Sequence, residues 1–283
     1  MLQLKLGLKR AATERPAFVM GIVNATPDSF YAESRGGVEL ALQFIKEGAD
    51  ILDIGGESTR PGYTPVSTEE EISRIMPVIQ AVRRESAIPI SVDTNKFSVF
   101  RAAFAAGADI WNDVTALSGV AEKSESGITQ VSDDGTALAD NEPSIAAAEY
   151  IAKTGASVIL MHTGPGSIQQ VSDFLGQRAV FCISHGVPSD KIIIDPGIGF
   201  NKSTEENLDL IAHPDALCGG RYPVLMALSR KRCIGDMTGR PAEERLAGTL
   251  AADLISVQRG AKIIRVHDVS SAIDTLNVMK NLR

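Results

Sequence analysis

Aromatic side chains are scarce: one Trp, four Tyr and nine Phe make up 5% of the 283 residues. A chain of this length needs a sizeable core, so aliphatic packing must build it, and a hydrophobic content of 44% is enough to do so. Cysteine is nearly absent as well. Cys182, Cys218 and Cys233 are odd in number, far apart and without a CxxC pair, which argues against a disulfide framework and a zinc site. Nor is there an excess of positive charge. With 28 basic against 35 acidic residues the formal charge is −7, so no broad surface for nucleic acid or an anionic membrane is indicated, and an anionic ligand would need a local cluster. No apolar run approaches the roughly 20 residues of a membrane span. The opening "MLQLKLGLKRAATERP" has two early lysines but no apolar core of a leader. A soluble cytoplasmic protein is expected, with reduced thiols and no nucleic-acid or membrane partner.

What the sequence does contain is a rhythm. Eight strand-length apolar runs recur: "AFVMGIVNAT", "ADILDIGG", "IPISVDT", "ADIWNDV", "ASVILMHT", "KIIIDPG", "YPVLMALS" and "AKIIRVHD". They are apolar at successive positions, as in parallel strands covered on both faces. Helix-like segments separate them, such as "STEEEISRIMPVIQAVRRES", where Ser67 or Thr68 can cap and the acids that follow suit the helix dipole. "KFSVFRAAFAAG", "SIAAAEYIAKTG" and "AEERLAGTLAADLISVQRG" each close on a glycine. Eight strand-and-helix units favour a single (β/α)8 TIM barrel over residues 1–283 rather than an open doubly wound sheet. The phrases "EGAD" and "AGAD", at 47–50 and 106–109, repeat one helix-to-strand turn. Residues 117–143, polar and without period, interrupt the rhythm and read as a long flexible loop insertion, either a surface feature or a lid.

In a parallel barrel the C-terminal ends of all strands open on one face, where catalytic groups collect. Here those ends carry Asn24, Asp53, Asp93, Asn112, His162, Asp195, Ser229 with Lys231, and Arg265 with His267. Each has an ordinary alternative: Asp93 or Asp195 as a helix cap, Asn112 as a loop hydrogen-bonder, His162 as a semi-buried histidine. Their concentration on one rim points to a site. Asp93, Asn112 and Asp195 suit a flat nitrogen-rich ring, pterin or purine-like, because a carboxylate can accept two neighbouring N–H groups. Arg265 and His267 project from one side of their strand and together can grip an anion. Asn24 offers a neutral oxygen suited to hydrated Mg2+. Lys231 in "SRKRCIG" is weighed as a Schiff-base former or as a polar contact; Arg230 and Arg232 beside it favour the contact. Ser29 and the cysteines lack partners for a hydrolase.

Taken in order, "MGIVNATPDSF", "GADILDIGGESTRPG", "ISVDT", "IWNDV", "LMH", "IIIDPGIGF", "LSRK", "RPAEERLAGTLAA" and "IIRVHDV" resemble the dihydropteroate synthase family across nearly the whole chain. The resemblance implies a cytoplasmic transferase of folate biosynthesis and a target of sulfonamides. It would join a 7,8-dihydropterin pyrophosphate to 4-aminobenzoate, releasing pyrophosphate. It implies that Asp93, Asn112, Asp195 and Lys231 hold the pterin with Arg265 against the ring, and that Asn24, Arg265 and His267 bind pyrophosphate with Mg2+ at Asn24. Thr59, Arg60 and Pro61 would lie on a mobile loop, with Phe30, Pro61 and Ser229–Lys231 bordering the aminobenzoate pocket. Asp93, Asp195, Lys231, Arg265 and His267 are the implied catalytic set. A homodimer, through the last helices, is implied too.

Three positions depart from the family pattern. Ala32 stands where an aspartate is usual, with Glu33 beside it; Arg232 replaces a common serine and Ala227 a common glycine. All three concern the aminobenzoate side or the periphery. They leave as an alternative a diverged pterin-binding homologue with weak activity or a changed second substrate; a separate alternative is a corrinoid-linked methyltetrahydrofolate methyltransferase, which would have no need for "GGESTRPG" together with "SRK".

Overall fold

A computed structural model of the chain describes residues 1–25, 37–57, 65–118 and 142–282. It opens with a feature the sequence reading did not foresee. β1 (Leu2–Leu6) and β2 (Lys9–Thr13) form an antiparallel hairpin turned at Gly7, with apolar Leu2, Leu4 and Leu6 alternating along one face.

The eight expected strands follow: β3 (Phe18–Asn24), β4 (Ile51–Gly55), β5 (Ile90–Asp93), β6 (Ile110–Asp113), β7 (Ser157–Met161), β8 (Ile192–Asp195), β9 (Leu225–Met226) and β10 (Ile263–Val266). Between and after them run α1 (Gly37–Glu47), α2 (Thr68–Glu85), α3 (Phe97–Ala105), α4 (Glu142–Thr154), α5 (Ile168–Ser184), α6 (Thr204–Ala212), α7 (Arg232–Thr238), α8 (Leu246–Gln258) and α9 (Val269–Asn281). These eight strands are all parallel in the order β8-β7-β6-β5-β4-β3-β10-β9, and a parallel bridge between Ile194 and Val224 joins β8 to the residue just before β9. The result is the expected TIM barrel.

Local chemistry explains the connections. Ser67, not Thr68, caps α2, its Oγ accepting the Glu70 N–H at 3.1 Å. In the repeated "GAD" phrases the glycines hold left-handed φ values of 93° at Gly48 and 108° at Gly107, which favour glycine. The aspartates then accept strand N–H groups, Asp50 from Val19 at 2.8 Å and Asp109 from Ile90 at 2.9 Å.

Two apolar layers result. Val19, Leu52, Val92, Trp111, Val158 and Ile194 face the helices, while Phe18, Met20, Ile51, Ile110, Ile159, Ile193 and Ile263 fill the barrel interior together with Leu6 of the hairpin. The hairpin therefore stoppers the N-terminal end, pinned by Lys9–Asp109 at 2.8 Å and by the Gly7 N–H on Ser157 Oγ at 2.9 Å. The apolar face of α9 is turned inward: Val269, Ala272, Ile273, Leu276 and Met279 are core residues. Most of the 117–143 segment lies outside the described residues; 117–118 form a turn and 142–143 begin α4. Among the described residues no helix is long and apolar enough to cross a membrane.

Candidate active site

Alternate residues of a strand share a face. Ile51, Ile110, Ile193 and Ile263 point into the barrel, and two residues further along the same strands stand Asp53, Asn112, Asp195 and Arg265. The apolar stopper thus ends where a polar layer begins, at the C-terminal mouth.

Arg265 organises that layer. Its Nε donates to Asp53 Oδ2 at 2.6 Å and its Nη2 to Asp93 Oδ2 at 2.7 Å. Asn112 Nδ2 donates to the same Asp53 oxygen at 3.1 Å. Burial opposes the Arg265 charge, but Asp53 and Asp93 outweigh it and hold the guanidinium above its ordinary value. Burial raises the Asp93 carboxyl, against the pull of Arg265 and with help from the Asp53 charge. Asp93 Oδ1 is buried and takes no hydrogen bond among the described residues. With Nε and one N–H of Nη2 directed at carboxylates, Arg265 has Nη1, the second N–H of Nη2 and its flat face left for a ligand, fewer donors than a freely projecting anion grip would have.

Across the mouth, Asp195 Oδ1 accepts the Gly197 N–H at 2.7 Å, and burial raises its carboxyl despite the nearby Lys231. Lys231 donates to the Ile198 carbonyl and lies 5.0 Å from the centre of the Phe200 ring. Burial lowers its ammonium to about 8, with Asp195 opposing. The flanking arginines do not act on it as expected. Arg230 turns away into a two-pronged pair with Asp268 at 3.1 and 2.8 Å, and Arg232 is exposed, 3.9 Å from Asp236. The groups that act on the Lys231 charge are Asp195, Arg265, Cys233 and Asp93, not the flanking arginines.

His267 meets Ser229, whose Oγ accepts the His267 backbone N–H at 3.2 Å and lies 2.9 Å from Nδ1. Asn24 ends β3 at the exposed rim, beside Gly55. Among the described residues no three His, Cys, Asp or Glu side chains gather where they could hold a metal ion.

A family model described as pterin binding enzyme matches residues 20–267. The chain belongs to the pterin-binding enzyme family. It is 39% identical to the dihydropteroate synthase of Streptococcus pyogenes serotype M6, over 99% of this chain and 100% of that protein. Among solved structures it resembles Xanthomonas albilineans dihydropteroate synthase with 4-aminobenzoic acid, at TM-score 0.83 and 41% identity, covering 99% of this chain and 97% of that one. It also resembles the same enzyme in complex with 7,8-dihydropteroate, at TM-score 0.82 and 38% identity, covering 99% and 98%.

In this family member the strand-end residues sort into three groups. Arg265 is bonded to Asp93 and, through Asp53, linked to Asn112, Asp195 and Lys231 lie near enough for their charges to act on each other, and His267 stands on Ser229. His162 is a buried, neutral histidine, held down to about 4 by burial and packed edge-on against Phe174. Loop backbone beside Asn112 is satisfied instead by Asp113, which accepts from Thr115 N at 2.9 Å and Leu117 N at 2.7 Å. Neither is Asp93 a cap, since the cap position of α3 is Lys96. Phe30, Ala32, Glu33, Thr59, Arg60 and Pro61 lie outside the described residues.

Three contributors escaped sequence reasoning. Asp53 stands in the middle of β4 rather than at its end, and nothing in its sequence neighbours reveals that it holds Arg265 and Asn112. Lys202 donates to the His162 and Gly197 carbonyls, each at 3.1 Å, and so ties the loop after β8 to the end of β7. Lys96 ties Glu57, at 2.5 Å, to the Val66 carbonyl, at 3.0 Å. No spacing rule links residues so far apart.

Proposed function

We propose that the chain is a dihydropteroate synthase in which Asp93, Asn112, Asp195, Lys231 and Arg265 hold the dihydropterin. The observation that carries the site assignment is Asp93, whose Oδ2 is taken by Arg265 while its buried Oδ1 remains an acceptor for a ring N–H. Lys231, already donating to a carbonyl, is placed to donate to a ring carbonyl or ring nitrogen. The face of Arg265 lies against the ring.

The bond between the pterin methylene carbon and the pyrophosphate oxygen breaks with its electron pair going to pyrophosphate. Positive charge then develops on the delocalised pterin methylene. Carboxylates belong beneath that cation and cations around the departing anion, which is how Asp93 and Asp195 on one hand, and Arg265 and His267 on the other, are assigned. The neutral arylamine of 4-aminobenzoate attacks the carbon and sheds one proton, giving dihydropteroate. An amine of such low basicity is uncharged at pH 7 and needs little help from a general base. Thr59, Arg60 and Pro61, with Phe30, are assigned to the closure and the aminobenzoate side by family resemblance.

Mg2+ fits this reading as an ion held mainly by phosphate and water, since the neutral amide oxygen of Asn24 stands at the rim and no protein cage is found among the described residues. When bound it would neutralise pyrophosphate charge. A reducing, cytoplasmic setting is part of the proposal, in keeping with Cys182, Cys218 and Cys233 being buried thiols rather than disulfides. Homodimer formation through α8 and α9 is part of the proposal, supported by exposed Ile255 and Val278.

The test is pyrophosphate release from dihydropterin pyrophosphate and Mg2+, with and without 4-aminobenzoate. Release that depends on 4-aminobenzoate, with dihydropteroate formed in equal amount, is expected. Release without the amine, or none at all, sinks the synthase assignment.

A further inference from the structure

We infer that Asp53 is a positioning residue for the pterin slot, and that its hold on Asn112 decides which end of that amide meets the ligand. The inference rests on the pterin-binding reading of the slot.

Asp53 is fully buried, in the middle of β4, and a single oxygen, Oδ2, accepts from both Asn112 Nδ2 and Arg265 Nε. An amide facing a carboxylate has only one favourable orientation, because its NH2 is attracted to the charge and its carbonyl oxygen is repelled. Asp53 therefore turns the Asn112 carbonyl oxygen away from itself, and the amide presents an acceptor rather than a donor to what lies beyond. An acceptor here and the Asp93 acceptor on the adjacent strand, paired Asp93 to Asn112 in register, select a ring edge rich in N–H groups. Selection by buried polar groups is steep, since a mismatched ligand leaves them unpaired.

The same oxygen fixes Arg265. With Nε on Asp53 and Nη2 on Asp93, one edge of the guanidinium is held at two points, 2.6 and 2.7 Å, so its plane cannot turn freely. Without Asp53 one of those points is lost and the amide of Asn112 is free to rotate by half a turn. Arg265 and His267 would still offer their charge to an anion, so the defect should fall on ring recognition. Asp53 is thus distinguished from a residue that merely supports the barrel: it should alter which ligand binds before it alters whether the chain folds.

Calorimetric titration with 6-hydroxymethylpterin, which has the ring and no pyrophosphate, tests this on the whole chain. Asp53→Asn retains the shape of the side chain and removes its charge. We expect it to weaken pterin binding at least tenfold while leaving inorganic pyrophosphate binding within about twofold. In an Asn112→Ala background the effect of Asp53→Asn should shrink, because the route through the amide is already gone. Wild-type affinity in Asp53→Asn, or an effect that is the same in both backgrounds, overturns the inference. For the case that Asp53→Asn does not fold, the amide is read in the unsubstituted chain: the Asn112 side-chain NH2 signal, assigned by its loss in Asn112→Asp, should keep its carboxylate-bonded shift when the pterin binds. A large move on binding overturns the inference. If the unsubstituted chain does not bind the pterin, the site reading and the inference fall together; if it binds and Asp53→Asn binds equally, only the inference falls.

Discussion

Lys202 donates to the backbone carbonyl of His162 at 3.1 Å, and a Cβ placed on Gly197 would stand 1.9 Å from that same oxygen. The loop after β8 and the end of β7 are therefore in direct backbone contact, and Lys231 depends on that loop through Ile198.

Gly197→Ala should disrupt this contact. Gly197 has φ of 68°, disfavoured by about 1–2 kcal/mol for a residue with Cβ, and backbone must move to relieve the clash. Lower thermal stability together with weaker pterin binding, by calorimetry on the purified variant, is the expected outcome. A variant as stable and as tight-binding as the parent would show that the loop tolerates a shift.

Lys231 should set an alkaline limit. Its ammonium, lowered to about 8 by burial, is charged below that pH and neutral above it, so a contact that needs the charge is lost on going upward. kcat/KM for dihydropterin pyrophosphate should fall about tenfold per pH unit above that point. Lys231→Arg, whatever its absolute activity, should lack that limb in the same profile because a guanidinium stays protonated.

Arg265→Met should be costly to the fold as well as to the reaction. It leaves Asp53 and Asp93 as neighbouring buried carboxylates without their shared partner, and breaking such an arrangement typically costs about 3–5 kcal/mol. Urea unfolding at pH 8 should show a clearly lower midpoint, and part of the loss should return at pH 5, where a raised Asp93 carboxyl is more easily protonated.

Asp253 offers a stabilising change. It is buried on α8, neither carboxylate oxygen has a hydrogen-bond partner among the described residues, and burial raises its acid well above the ordinary value. A folded-state pKa above the unfolded one means that the native chain holds the extra proton between the two, so stability falls as pH rises through that window. Asp253→Asn removes the titrating group. Its urea midpoint should exceed the parent's at pH 8 and approach it at pH 4; equal midpoints at both would refute the account.

Much of the architecture could be read directly because it is local. Apolar runs separated by capped, glycine-ended helices mark the eight barrel strands, and i, i+2 spacing places Arg265 and His267 on one side of a strand. The hairpin is harder to read although Leu2, Leu4 and Leu6 alternate, because its strands alternate polar and apolar residues and lack the continuous apolar run that marks the barrel strands. Ser67 and Thr68 are equivalent caps by composition; only the path of the backbone into α2 decides between them.

The order of residue types along the chain was sufficient to determine the barrel, its polar mouth and its family. Which polar groups pair was decided by closure. Arg265 and Asp53 are 212 residues apart, and they meet only because β10 and β4 both border β3. Arg230 and Lys231 are adjacent, yet one turns to Asp268 outside the pocket and the other to Ile198 within it. Hydrogen bonds act over about 3 Å, so the partners of each charge belong to the packed barrel rather than to any stretch of sequence.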